Sequence, residues 1–166
     1  MYTSQAENQL IVTDIADVMQ DYVSIQMDID HTRVKAAALV AQNIDIKRII
    51  GKENLLRCVG VDEGSSTGDR DLFDLVIPPL CYYTYSRCLL MFQGAYTDSG
   101  YVLEADGTES RNAAKSVAKE MKSIAETFML EVTEFLEKEN PNTVADEKKL
   151  TPGIRVFGGK ERRASN

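Results

Sequence analysis

The sequence predicts a mainly α-helical bundle of four or five helices, with one small β-hairpin or extended arm and a long C-terminal helix followed by an extended tail. Three observations carry this. Apolar residues recur at three- and four-residue intervals along much of the chain, the hallmark of amphipathic helices. A strongly apolar stretch, residues 71–92, sits mid-chain, and residues 111–140 run without a glycine or proline. At 166 residues and 18.5 kDa the chain fits one domain, and 43% hydrophobic residues suffice for a core without a metal or disulfide staple.

The first helix is expected from Thr13 or Asp14, whose side chains suit an opening turn, with Ile15, Val18, Tyr22, Ile25 and Ile29 on one face. A break near Asp28–Thr32 precedes a second, alanine-rich helix from Val34 to about Asn43. A short third follows: Ile44, Ile46, Ile49 and Ile50 supply apolar weight, Gly51 punctuates, and Glu53–Val59 adds about two turns. Gly60–Asp71 reads as a mobile loop with three glycines and two serines. Pro78 and Pro79 predict one helix ending at Val76 and another from Pro78 to about Gln93, since proline lacks the N–H and suits a first turn. That second piece is apolar all round, which predicts a buried central helix. Its tyrosines suit a core with hydroxyls at a polar rim, the commoner case, or a ligand site.

Thr97–Gly100 has turn chemistry, and the Tyr101–Glu104 stretch is strand-like, together one small hairpin or extended arm. The last helix follows, capped by Thr108 or Ser110 and stopped by Asn140-Pro141, with Ala114, Val117, Met121, Ile124, Phe128, Val132 and Phe135 as its seam. Such a helix is roughly 40–45 Å long, more than a small domain covers by itself. Part of it is therefore expected to meet another subunit or water. The domain division is 1–142 for the helical body and 143–166 for the tail. Within the tail, Ile154-Arg-Val-Phe157 alternates as a strand does but is too short to stand alone. It adds to a neighbour's sheet, packs in a groove or stays disordered; docking is the preferred reading.

Charge is unevenly spread. Residues 1–150 carry 15 basic and 25 acidic side chains, a balance of −10, whereas residues 151–166 carry four basic and one acidic. An acidic body repels phosphates and disfavours sequence-specific DNA binding. Cys58, Cys81 and Cys88 form no CxxC pair and read as small core residues of a reducing compartment. No apolar run reaches the roughly 18–20 residues of a bilayer crossing and no signal peptide is evident, so a soluble, cytosolic protein is expected.

The search for chemistry finds little. Gly60, Gly64 and Gly68 lack the lysine of a phosphate-binding loop. His31 is the only histidine, and no G-x-S-x-G elbow occurs. Asp28, Asp30 and His31 have no metal-ligand spacing around them and read as solvated caps. Glu131, Glu134, Glu137 and Glu139 crowd one helix end as an exposed face or a surface for a basic partner. No catalytic, metal or cofactor residue is assigned. The candidate partner-binding residues are those of the tail, Ile154, Arg155, Val156, Phe157, Lys160, Arg162 and Arg163, with protein a better target than nucleic acid.

The order of these pieces carries a resemblance. AALVAQNIDIKRIIG at 37–51, a loop, DLFDLVIPPLCYYTYSRCLLMF, TDSGYV at 97–102 and a long helix ending in FLEKENP resemble head-to-tail connector proteins of tailed bacteriophages. The likeness is nearest to ring or adaptor proteins of crAss-like and related Bacteroidetes phages, covers about residues 10–142, and departs at Tyr101, where a smaller aliphatic residue is expected. It implies a structural, non-enzymatic virion protein of the neck, made in the host cytoplasm. It further implies a homo-oligomeric ring, typically of twelve copies, under the portal protein. That ring would contact the next neck or tail protein and extend a channel through which DNA passes without sequence-specific binding. No cofactor and no membrane contact is implied. The alternative is a cytosolic helical regulatory or chaperone-like protein-binding module; a third reading, a small enzyme using His31 or the tyrosines, demands that His31 be essential.

Overall fold

The computed structural model describes residues 9–23, 30–92, 95–97, 100–102 and 108–139, and two of its helix starts are capped by side chains, Asp30 and Ser66. Helix α1, Ile15–Met19, buries Ile15, Ala16 and Met19. It is shorter than its periodic face suggests. After Met19 the backbone tightens into three-residue turns, Gln20 N–H to Asp17 O (3.1 Å) and Asp21 N–H to Val18 O (3.2 Å), which leaves Tyr22 partly exposed. Ile25 and Ile29 lie outside the described residues.

Asp30 opens α2, His31–Val40, by accepting a hydrogen bond from Thr32 N–H at 2.9 Å. The chain does not pause at Asn43 as the sequence suggests. It continues through a π-helical segment, Ala41–Ile46, into α3, Lys47–Val59. The wider turn accompanies the burial of two polar side chains, Gln42 and Asp45. Gln42 is fully buried; its Oε1 accepts from Ile11 N–H and its Nε2 donates to Gln9 O, both at 2.8 Å, so one side chain fastens the segment that leads into α1. Gln42→Ala leaves those groups unpaired and is expected to cost about 2 kcal/mol. Urea denaturation measures the loss, and amide exchange at Ile11 should accelerate with it. Within α3, Gly51 leaves helical geometry (φ 80°, ψ 169°) and bends the path.

Helix α4 overturns two expectations. It begins at Thr67, inside the stretch read as a loop, because Ser66 caps it: Asp69 N–H donates to Ser66 Oγ (3.1 Å), and Ser66 Oγ–H in turn donates to Asp69 Oδ2 (2.6 Å), which holds the capping hydroxyl in place. The shorter loop before it is ordered by Asp62, whose Oδ1 accepts from Gly64 N–H at 2.8 Å. The helix then runs unbroken to Met91 with Pro78 and Pro79 inside it. Interior proline costs about 3 kcal/mol and leaves the carbonyls four residues back without their helical donors. Burial outweighs that here: Val76, Ile77, Pro79, Leu80, Cys81, Tyr83, Tyr85, Cys88 and Leu89 are all buried around the same stretch. Fully burying one large apolar side chain is worth about 1.5–3 kcal/mol, so a few of these offset the penalty.

Two three-residue strands, Ala95–Thr97 (β1) and Gly100–Val102 (β2), pair antiparallel with Tyr96 opposite Tyr101. They add no sheet layer, and the class is mainly helical. Helix α5, Thr108–Glu139, runs antiparallel to α4: Ser86 Oγ–H donates to Ala118 O at 2.8 Å, Tyr82 stacks on Phe128, and Glu139 sits at Gly68. Central α4 packs against α1, α2, the π segment, α3 and α5. Ala114 and Val132 of the expected α5 seam are buried, but the seam as a whole is turned from the expected one. Its deepest residues are Ala114, Ala118, Ala125, Met129 and Val132, while Val117, Met121, Ile124, Phe128 and Phe135 are only half-buried. At 100° per residue the burial axis lies about 60° from the axis of the predicted stripe. The alanines let the two helices approach closely, and the bulky residues flank that line.

Among the described residues no helix is long and apolar enough to cross a membrane.

Candidate functional site

Among the described residues, the thiols and the core phenol of Tyr83 are buried. Cys58, Cys81 and Cys88 are free and buried, and burial pushes each thiol up to about 12. Tyr83 is likewise pushed up to about 12, by burial first, with Glu126 and Asp45 adding to it. His31 is the exposed first residue of α2, and Asp30 beside it serves as the cap and pairs with Arg33 at 3.5 Å. Asp28 lies outside the described residues, among which no three His, Cys, Asp or Glu side chains could hold a metal ion.

Two ionic ties fix the helices around α4. Asp45, on the π segment, accepts two hydrogen bonds from Arg87, Nε to Oδ2 at 2.9 Å and Nη2 to Oδ1 at 2.8 Å. Its carboxylate is only 7% exposed. Arg57, on α3, is the second hub. Its Nε donates to Asp69 Oδ1 (2.6 Å), its Nη1 to Asn54 Oδ1 (3.0 Å) and Glu139 Oε2 (2.8 Å), and its Nη2 to Glu139 Oε1 (3.2 Å). The bond to Glu139 is the leading reason that the guanidinium holds its proton more tightly than usual. Asp69 is held below the usual carboxylate range by Ser66 first and Arg57 second. Its contribution is therefore present above the ordinary aspartate range and fades as pH falls through the lowered value. Gly68 lies where these groups meet: a Cβ there would be 2.7 Å from Glu139 Oε1, so a side chain at this position would push the end of the Glu139 carboxylate aside. Glu131, Glu134 and Glu139 are all exposed, as read from sequence, but Glu139 is tied to its own chain through Arg57.

What remains is surface. The tyrosines divide: Tyr83 and Tyr85 are core, whereas Tyr82 stacks on Phe128 (centroids 5.6 Å apart, planes 11°) and meets the edge of Tyr22 at 6.5 Å. This aromatic group lies on the half-buried flank of α5. Further apolar side chains stand out at Leu90, Met91 and, on the far face of α5, Leu130, which is 64% exposed. A shallow, open groove of about 540 Å³ runs between the 60–66 loop and the first turns of α4, lined by Val61, Asp62, Glu63, Arg70, Phe73 and Asp74. The tail residues Ile154, Arg155, Val156, Phe157, Lys160, Arg162 and Arg163 lie outside the described residues. Nothing in the sequence reading marked the groove or the Arg57 hub. The Ser66-Thr-Gly-Asp69 spacing, that of a capping box, was the available signal for the helix start that builds both.

No curated protein and no solved structure matches the chain. Residues 46–149, well over half of the sequence, match the profile of a family of unknown function, DUF6712, a span that includes α3, α4, α5, the Arg57 hub and the groove. The chain belongs to the DUF6712 family.

Proposed function

We propose that this protein is a structural head-to-tail connector of a tailed-phage virion, a subunit that assembles as a ring under the portal and extends the DNA channel toward the tail. The order of its elements supports this through the resemblance given above. The observation that carries the reading is the flank of α5. A 32-residue helix, about 48 Å long at 1.5 Å per residue, leaves Val117, Ile124, Phe128 and Phe135 half-buried along one side. In a cyclic ring each copy offers one such side to the next, and closure covers all of them. The acidic balance of residues 1–150 suits a conduit along which DNA slides without sticking. The β1–β2 pair and the basic tail serve as arms, the tail docking on the portal or a neighbouring subunit by edge addition or groove packing.

The test is reconstitution. Mixing the full chain with the purified portal at micromolar concentration and imaging by electron microscopy is expected to show an added ring layer. A bare portal supports instead the helical protein-binding module, working as a monomer or dimer.

A further inference from the structure

The groove beside the first turns of α4 is open, part apolar and acidic. Its floor is Val61 and Phe73, both half-buried, and its rim carries Asp62, Glu63 and Asp74 against the single cation Arg70. Neither Glu63 nor Asp74 forms an ion pair among the described residues. An extended segment alternating apolar and cationic side chains matches such a floor and rim.

The chain contains one segment of that chemistry. Ile154, Val156 and Phe157 are interleaved with Arg155 and followed by Lys160, Arg162 and Arg163, against the lone acid Glu161. Its starting point is fixed next to the groove. Glu139, the last residue of α5, is clamped by Arg57 and sits against Gly68 in the first turn of α4, and the following two turns supply Arg70, Phe73 and Asp74. Residues 140–153 separate Glu139 from Ile154, fourteen residues. A chain of that length reaches at most about 50 Å, and its r.m.s. span without regular structure is about 20 Å. The groove on the same subunit lies within that span, and tethering at this distance gives an effective concentration in the millimolar range.

We infer that the groove formed by Val61, Asp62, Glu63, Phe73 and Asp74 is the docking site of the chain's own C-terminal segment, residues 154–163, bound in cis. The apolar side chains meet Val61 and Phe73 while the arginines and lysine face the three carboxylates. The inference concerns the unassembled subunit: in the ring proposed above the same segment leaves the groove for the portal or a neighbouring copy, so the cis contact is tested on the free chain and can fail without the connector reading failing.

Limited trypsin digestion of the full chain, read by intact mass, tests it. Lys148 and Lys149 lie in the connecting stretch and act as an internal control, whereas Arg155, Lys160, Arg162 and Arg163 lie in the docked segment. In the unaltered protein, cleavage after the latter four should be slower than at the control sites by about tenfold. The double substitution Glu63→Gln/Asp74→Asn, at exposed and unpaired side chains, should remove most of that protection, as should Phe157→Ala or about 0.5 M salt. Equal cleavage at both sets of sites in the unaltered chain, or protection unchanged by all three perturbations, overturns the proposal. Protection lost on dilution from about 100 μM to about 1 μM also overturns it, because it identifies the occupant as the tail of a second copy.

Discussion

Arg87→Ala is expected to lower the unfolding free energy by about 3 kcal/mol, the largest single effect of any polar substitution in the described fold. Arg87 supplies both hydrogen bonds that Asp45 receives, and the Asp45 carboxylate is 7% exposed. Removing the cation leaves an anion with little access to water and without the two donors that held it, which is more damaging than the pair was stabilising. The double variant Asp45→Leu/Arg87→Met separates the two quantities, since an apolar pair of similar volume restores most of the loss. Urea midpoints at neutral pH measure both. A loss under about 1 kcal/mol for Arg87→Ala shows that solvent reaches Asp45 and that the π segment is not held by this pair.

Gly51→Ala is expected to cost about 2–3 kcal/mol for a different reason. The Gly51 backbone, φ 80° and ψ 169°, lies in a region populated essentially by glycine alone. No atom lies within 4 Å of where a Cβ would be placed, so the penalty is backbone strain and not a clash. Thermal unfolding measures it, and because the site touches no partner the loss should add to that of Arg87→Ala within about 0.5 kcal/mol. If the alanine variant is as stable as the parent, the bend in α3 is optional and the helix straightens through it.

These two residues also mark how far the sequence could be read. Gly51 was visible as punctuation because a lone glycine between apolar runs signals a break, but whether it stops a helix or bends one depends on what packs on either side. Pro78 and Pro79 were misread for the same reason. The rule that proline ends a helix counts a local penalty, whereas the outcome is set by long-range burial of Leu80, Cys81, Tyr85 and Cys88. The extent of α5 was legible because the stretch has no breaker and a sustained period. Its burial axis was not, since hydrophobic size drew the stripe through Phe128 and Phe135 while Ala118 and Ala125 set the line of closest approach. Arg57 and Glu139 are 82 positions apart, and no periodicity argument links residues at that separation. The groove was equally invisible, because it exists only once Ser66 starts α4 and the 60–66 loop turns back over it.

The three interior thiols have a practical meaning for anyone handling this protein. Burial raises all three well above the ordinary thiol range, so at neutral pH these sulfurs stay protonated and enclosed by the core. Maleimides and iodoacetamide should therefore ignore the native fold, and prolonged contact with air should not crosslink it. A fluorophore or gold cluster attached at one newly introduced surface cysteine would then report on that position alone, with the natural background needing no removal.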